Sequence, residues 1–259
     1  MQEISCYAVL HYLGHSFQGW QRQAAGRRTV QGDLERVLQR LVGHRVVTHA
    51  AGRTDAGVHA LGQVVSFRVP ARWQPPELHR AVNALLPPEI WVARLGRAPD
   101  GFHARRHARS RCYRYVVGCD AASASPFRRP FEWSLGTALD AEALAAAASA
   151  VAGEHDFRAF AAVGAPKRHY RCRVLVARWD ARPAGEGFIF TIEADRFLHR
   201  MVRFLVGTMV DVGLARRPVE DVARLLGSRT NAGTSPPAPP EGLYLVGARY
   251  SELEREADR

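Results

Sequence analysis

The sequence predicts an α+β fold built from two similar halves with ferredoxin-like or RNA-recognition-like element order. Three observations predict it. Segments with strand periodicity alternate with segments of helical periodicity along the whole chain. The first hundred or so residues run β-α-β-β-α-β. At 47% hydrophobic and 24% charged residues, the 259-residue chain can bury a sizeable core and is not a disordered polymer.

Ile4 to Tyr12, rich in β-branched and aromatic residues, predicts the first strand. A polar, glycine-containing loop from His15 to Arg28 follows. Thr29 can cap a helix over Val30 to Leu41, whose Val30, Leu34, Val37, Leu38 and Leu41 share one face. Arg45 to Ala50 and Gln63 to Val69 read as strands. Pro75 starts a helix to Leu86, and Ile90 to Leu95 is a further strand. The second half repeats the style less regularly. It offers a strand at Arg111 to Val117, an alanine-rich helix at Ala138 to Ala152 with Asp140 near its start, and a strand pair, Val174 to Arg182 and Gly187 to Ala194. Phe197 to Val212 and Val219 to Leu226 have helical spacing, and Leu243 to Tyr250 closes as a strand. The halves divide near His103 to Ser110. Between the last helix and strand, Ser235 to Pro240 is extended and stiff, and reads as a fixed loop rather than an SH3-type ligand.

The formal net charge of +11 favours a polyanionic partner, because phosphate neutralisation supplies most non-specific nucleic-acid affinity. A bias toward arginine, with Lys167 the one lysine, explains the choice of cation but not the surplus. Cys6, Cys112, Cys119 and Cys172 form no C-x-x-C pair, which argues against a zinc ribbon and for free thiols in a reducing compartment. The first apolar stretch, Tyr7 to Leu13, is short and broken by His11, so neither a signal peptide nor a membrane span is expected. A cytoplasmic protein is the expectation.

Chemistry concentrates in Ala51-Gly52-Arg53-Thr54-Asp55-Ala56-Gly57-Val58-His59-Ala60, between two predicted strands. Glycines on either side of Arg-Thr-Asp let the backbone turn sharply and approach a ligand closely. A carboxylate and a guanidinium stand two residues apart, as in a catalytic loop or in a surface salt bridge. His49 and His59 have no third ligand at a recognisable spacing, so a metal site is not expected.

Gly52 to His59 resembles the active-site motif of the TruA family of tRNA pseudouridine synthases. Further segments resemble that family in its own order: Gly19-Trp20-Gln21-Arg22-Gln23, Val30-Gln31, Asn83-Ala84-Leu85-Leu86-Pro87, Phe102-His103-Ala104-Arg105 and Tyr113-Arg114-Tyr115. Gly153-Glu154-His155-Asp156-Phe157, Phe197-Leu198-His199-Arg200-Met201-Val202-Arg203 and Glu241-Gly242-Leu243-Tyr244-Leu245 complete the series, so the resemblance spans residues 4 to 250. The chain departs from the family at Leu13, where Tyr-Asp-Gly is usual, and at His169, where Arg168 would usually precede threonine.

The resemblance implies two similar halves, residues 1–103 and 104–259. Their sheets would join into one extended, mixed, mainly antiparallel sheet with helices on one side and a catalytic cleft between the halves. It implies isomerisation of uridine to pseudouridine at positions 38, 39 and 40 of the tRNA anticodon stem-loop, by a homodimer acting on a flipped-out base. Asp55 would be the nucleophile, attacking ribose C1′, eliminating toward a glycal, or adding to uracil C6. Arg203 would be its basic partner, Arg53 would help displace the base, and Tyr113 would pack on the uracil and take the C5 proton. Leu243 would be an apolar pocket wall. The reaction is neither a redox step nor a hydrolysis, so no cofactor and no metal are expected. Arg22, Arg105 and Arg106, with Arg27, Arg28 and Arg109, are candidate phosphate contacts. Two other classes compete. A non-catalytic structured-RNA-binding protein accounts for the charge but not for the Arg53-Thr54-Asp55 loop. A metal-dependent nuclease would need clustered carboxylates, which the sequence lacks.

Overall fold

The computed structural model describes residues 2–23, 26–163 and 169–253. They form an α+β protein whose ten strands pair in a mixed, mainly antiparallel pattern. Two compact units emerge, residues 1–111 with 245–259 and residues 112–244. The final strand thus returns to the first unit, although its sequence position places it in the second half.

The first unit contains β1 (Glu3–Tyr12), α1 (Val30–Val42), β2 (His49–Ala50), β3 (His59–Pro70), α2 (Pro75–Leu85) and β4 (Ile90–Arg97). Strand order is β4-β1-β3, followed by the part of β10 (Leu243–Arg249) that begins at Leu245, with the short β2 on β3. β1 is antiparallel to both neighbours, with Val9 opposite Val64 and Ala8 opposite Leu95. Alternation explains the layering. Cys6, Ala8, Leu10 and Tyr12 are buried on one face of β1. Tyr7 and Val9, on the other face, join a second cluster with Val64, Ala98, Phe102, Ala104 and Tyr250. Thr29 caps α1 by accepting from the Gly32 N–H at 3.2 Å, as its position predicts, and Val30, Leu34, Val37 and Leu38 are buried. Each such side chain contributes roughly 1.5–3 kcal/mol on leaving water.

One predicted strand shrinks. Of Arg45 to Ala50 only His49 and Ala50 pair with β3. The Thr48 N–H and hydroxyl both bond the buried Glu35 carboxylate, at 2.9 and 3.1 Å, so these groups serve α1 instead of a sheet neighbour. β3 in turn begins four residues before the predicted Gln63, at His59.

The second unit holds most of β5 (Ser110–Gly118), then β6 (Trp133–Ser134), α3 (Ala141–Ser149), β7 (Gly153–Asp156), β8 (Arg171–Ala181), β9 (Gly187–Ala194), α4 (Met201–Gly213) and α5 (Glu220–Leu226). Strand order is β5-β9-β8-β7, with β6 parallel to β5. β8 and β9 form the predicted antiparallel pair across Ala184 and Gly185, both at positive φ. Asp140 is the N-cap of α3, accepting from the Glu142 and Ala143 N–H groups at 2.9 and 3.0 Å. The helix predicted from Phe197 starts only at Met201, because Arg200, its N-cap, adopts a left-handed conformation at φ 60° that keeps the helix from extending further back. The Ser235 to Pro240 stretch is fixed on α4. The Ala238 N–H donates to the Arg203 carbonyl at 2.9 Å, and the Pro236 carbonyl rests on Gly207, where a β-carbon would collide with it. All four cysteines are free thiols. Among the described residues no helix is long and apolar enough to cross a membrane.

Candidate active site

The loop between β2 and β3 is anchored from both ends. The Ala51 N–H donates to the Val64 carbonyl at 2.8 Å, and Gln63 Nε2 donates to the Gly52 carbonyl at 2.6 Å. Thr54 is the inward residue, 7% exposed. Its hydroxyl shares a 2.8 Å hydrogen bond with the Tyr12 hydroxyl, which also accepts from Gln63 Nε2 at 3.4 Å. Burial pushes the Tyr12 phenol up to about 12, so it keeps its proton for this bond. The Thr54 carbonyl accepts from the Trp20 N–H at 3.1 Å.

Close backbone approach permits these contacts. Gly19 has φ 88°, and a β-carbon there would lie 2.8 Å from the Thr54 carbonyl oxygen. The loop then turns at Asp55 to Val58, whose N–H donates to the Asp55 carbonyl at 3.2 Å, with Gly57 at φ 82°. Buried His59 accepts from the Gly14 N–H through Nδ1 at 3.1 Å, which leaves Nε2 as its protonated nitrogen in the neutral ring. With Thr54 locked inward, Arg53 is exposed and Asp55 half-buried. The arrangement presents a carboxylate on a backbone immobilised by buried hydrogen bonds, which suits covalent catalysis at one fixed point.

Arg53, Arg105 and Arg106 line one cavity of about 620 Å³ in the first unit. Arg22 is otherwise engaged, 3.6 Å from the buried Glu35 carboxylate. Arg28 donates to Asp33 at 3.0 Å and to both oxygens of Glu89 at 3.1 and 3.2 Å, and lies over the Phe17 ring. Its charge is thus compensated within the protein. Arg27 is exposed and bonds Gln23, while the Arg109 N–H donates to the Arg249 carbonyl. Leu13 is exposed, with its N–H on the Glu89 carbonyl. Arg168 lies outside the described residues, whereas His169 stands 3.0 Å from the Arg196 guanidinium.

The other expected site residues lie in the second unit. Tyr113, on β5, is 7% exposed and meets the Phe197 ring edge-on at 5.0 Å. Half-buried Arg203 donates through Nε to the Ala238 carbonyl at 2.6 Å, so the proline-rich loop fixes its guanidinium. Leu243, at the start of β10, is buried at 6% exposure.

Sequence reading missed three supporting residues. Arg111 donates to the Ala51 carbonyl through Nε and Nη2 at 3.1 and 3.0 Å, and to the Arg105 and Ala108 carbonyls at 2.6 and 3.0 Å. It ties the start of the Asp55 loop to the arginine-rich segment that follows Phe102. Tyr12 and Gln63 are the other two. The available signal was a polar Gln63 beside the apolar Val64 and Val65 in β3.

A family model described as tRNA pseudouridine synthase matches residues 8–105 and 147–251. Several curated relatives cover nearly the whole chain. "tRNA pseudouridine synthase A" of Moorella thermoacetica is 39% identical over 93% of this chain and 98% of its own length. The Myxococcus xanthus protein of the same name is 39% identical over 94% of this chain and 91% of its own. That of Gloeobacter violaceus is 41% identical over 94% and 79%.

Proposed function

Because the chain belongs to the tRNA pseudouridine synthase family, an isomerase family, we propose that it converts uridine to pseudouridine at positions 38, 39 and 40 of the tRNA anticodon stem-loop, with Asp55 as the nucleophile. The observation that carries the assignment of Asp55 is the anchored loop. Tyr12, Gln63 and the Trp20 N–H hold Thr54 inward, and Asp55 follows on the same fixed backbone.

The chemistry asks three things of the protein. The N-glycosidic bond must break, the uracil must turn while it stays bound, and C5 must bond to C1′ before losing its proton. Asp55 supplies a carboxylate for the first step, by attack at C1′, by elimination toward a glycal, or by addition at uracil C6. The base must leave its stack first, and Arg53, exposed beside Asp55, is the residue proposed to displace it. Tyr113 is proposed to pack on the uracil and take the C5 proton, Arg203 to favour the ionised aspartate, and Leu243 to form an apolar wall. These three roles rest on the resemblance. The same proposal includes a homodimer in the cytoplasm.

Acceptance of three neighbouring uridines fits recognition through shape and backbone, which a surplus of 11 positive charges serves. The positional claim is tested by mapping pseudouridine in tRNA from a strain lacking the gene. Loss at 38–40 with restoration by the wild-type gene is expected, and loss at other positions alone would overturn the site assignment.

A further inference from the structure

The Asp55 loop is fixed at its middle through Thr54, but its entry at Ala51 is held by a residue 60 positions further along the chain. Ala51 is 1% exposed, and its N–H is taken by the Val64 carbonyl. Its carbonyl is taken by Arg111, which approaches with Nε at 3.1 Å and Nη2 at 3.0 Å. The same Nη2 donates to the Arg105 carbonyl at 2.6 Å, and Nη1 donates to the Ala108 carbonyl at 3.0 Å. One planar guanidinium thus closes on three main-chain carbonyls from two segments. The second segment is itself tied down. The Ala104 N–H donates to the Ser66 hydroxyl of β3 at 3.0 Å, and the Ala104 carbonyl accepts from the Tyr250 hydroxyl at 2.7 Å. The Arg109 N–H donates to the Arg249 carbonyl of β10 at 2.9 Å. Arg111 therefore braces the loop entry against backbone already secured to two strands.

Resting on the reading of Asp55 as the nucleophile, we propose that Arg111 is a positioning residue for the reaction: it clamps the Ala51 carbonyl to the Arg105–Ala108 backbone, fixes where Asp55 stands, and is not an RNA contact. Gln63 takes the next carbonyl, that of Gly52, at 2.6 Å. Consecutive carbonyls at the loop entry are thus held by two side chains, one from β3 and one from β5. Two holds fix an orientation where one would leave a pivot. Orientation matters here because a misplacement of about 1 Å can cost about a hundredfold in rate. Arginine suits the task and lysine does not, since only the guanidinium presents its donors in a fixed planar fork. The same use turns the group toward the protein. Nε, Nη1 and Nη2 all serve carbonyls, whereas Arg105 and Arg106 on the neighbouring segment line a cavity.

Arg111→Gln and Arg111→Lys test this in the full chain, with tRNA labelled at uracil C5. At saturating enzyme the single-turnover rate should fall roughly tenfold to a hundredfold in Arg111→Gln. Arg111→Lys keeps the charge and loses the fork, so it should also fall short of wild type. Affinity for tRNA and its salt slope should match wild type in both variants, because no phosphate contact is lost. A wild-type rate in either variant would overturn the proposal. So would a salt slope shallower by about 0.7–0.9, the signature of one lost phosphate contact. Should Arg111→Gln fail to fold, Arg111→Lys decides alone. Amide hydrogen exchange over residues 50–58 gives a second readout that needs no turnover. Exchange there should quicken in both variants while α2 stays as protected as in wild type, and unchanged exchange over 50–58 would overturn the clamp. Absence of tritium release by wild type would defeat the enzymatic reading, and the clamp would then stand or fall on exchange.

Discussion

Gly19 and Gly26 both hold positive φ, at 88° and 93°, yet a β-carbon at Gly19 would meet the Thr54 carbonyl oxygen at 2.8 Å, while one at Gly26 would meet nothing within 4 Å. The same contrast separates their surroundings. Around Gly19 the backbone packs on the Asp55 loop, and every polar group of Thr54 named above has a partner. Around Gly26 the arginines are exposed and engaged with neighbours, Arg28 in ion pairs with Asp33 and Glu89 and Arg27 in a hydrogen bond to the neutral Gln23 amide. One region is built to hold a loop in place and the other to settle its own surface. Arginine density alone therefore does not mark a surface with uncompensated charge. Arg105 and Arg106, by contrast, line a cavity.

The comparison breaks most visibly at the glycines themselves. Replacing either by alanine costs about 1–2 kcal/mol for the left-handed conformation. Gly19→Ala also pushes the Asp55 loop, and a misplacement of about 1 Å is expected to lower turnover by about a hundredfold. Gly26→Ala should keep near-normal turnover. Single-turnover assays of both variants check this, and equal losses would erase the distinction.

Next in size is the charge contrast. Each phosphate contact contributes roughly 0.7–0.9 to the slope of log affinity against log salt. Arg105→Gln/Arg106→Gln should lower the slope by about 1.5, and Arg28→Gln should leave it unchanged. Filter binding across a salt series decides between them.

Tyr12→Phe probes the anchoring directly. It removes the hydroxyl that bonds Thr54 and leaves that buried group unsatisfied, at a cost of about 1–3 kcal/mol. A lower Tm with a few-fold fall in turnover is expected, and an unchanged Tm would contradict the anchoring role.

The smallest effect concerns acid stability. The Arg28 hydrogen bonds hold the Glu89 carboxyl below its ordinary value. The folded-state pKa is depressed, so this contribution is present above the unfolded-state pKa and fades as pH falls through the folded one. Glu89→Gln should make stability less pH-dependent in that acid window, as read from denaturant midpoints between pH 5 and pH 3. An identical acid limb would show that the pair at the protein surface contributes nothing.

Much of this architecture was legible because it rests on local signals. β1 declared itself by alternation, and α1 by Thr29 and its apolar face. The Asp55 loop was legible through glycines flanking an Arg-Thr-Asp triplet between strands. Features set by distant partners were not. Nothing near Thr48 reveals that the Glu35 carboxylate will capture its N–H and shorten a strand. The spacing of Phe197 to Val212 fits a helix throughout, but Arg200 at φ 60° delays its start. β7, only four residues long, has no apolar alternation to betray it. Arg111 looks like one more basic residue until its guanidinium is found on the carbonyls of Ala51, Arg105 and Ala108.

The central claim is that the anchored loop exists to present Asp55 to a uridine. Its most direct test is tritium release from tRNA labelled at uracil C5, comparing wild type with Asp55→Asn under single-turnover conditions. The substitution preserves the shape of the side chain and removes the nucleophile, while the basic surface is untouched. The account predicts tritium release by wild type and none above background by Asp55→Asn, with tRNA affinity nearly unchanged. Appreciable release by the variant would contradict it.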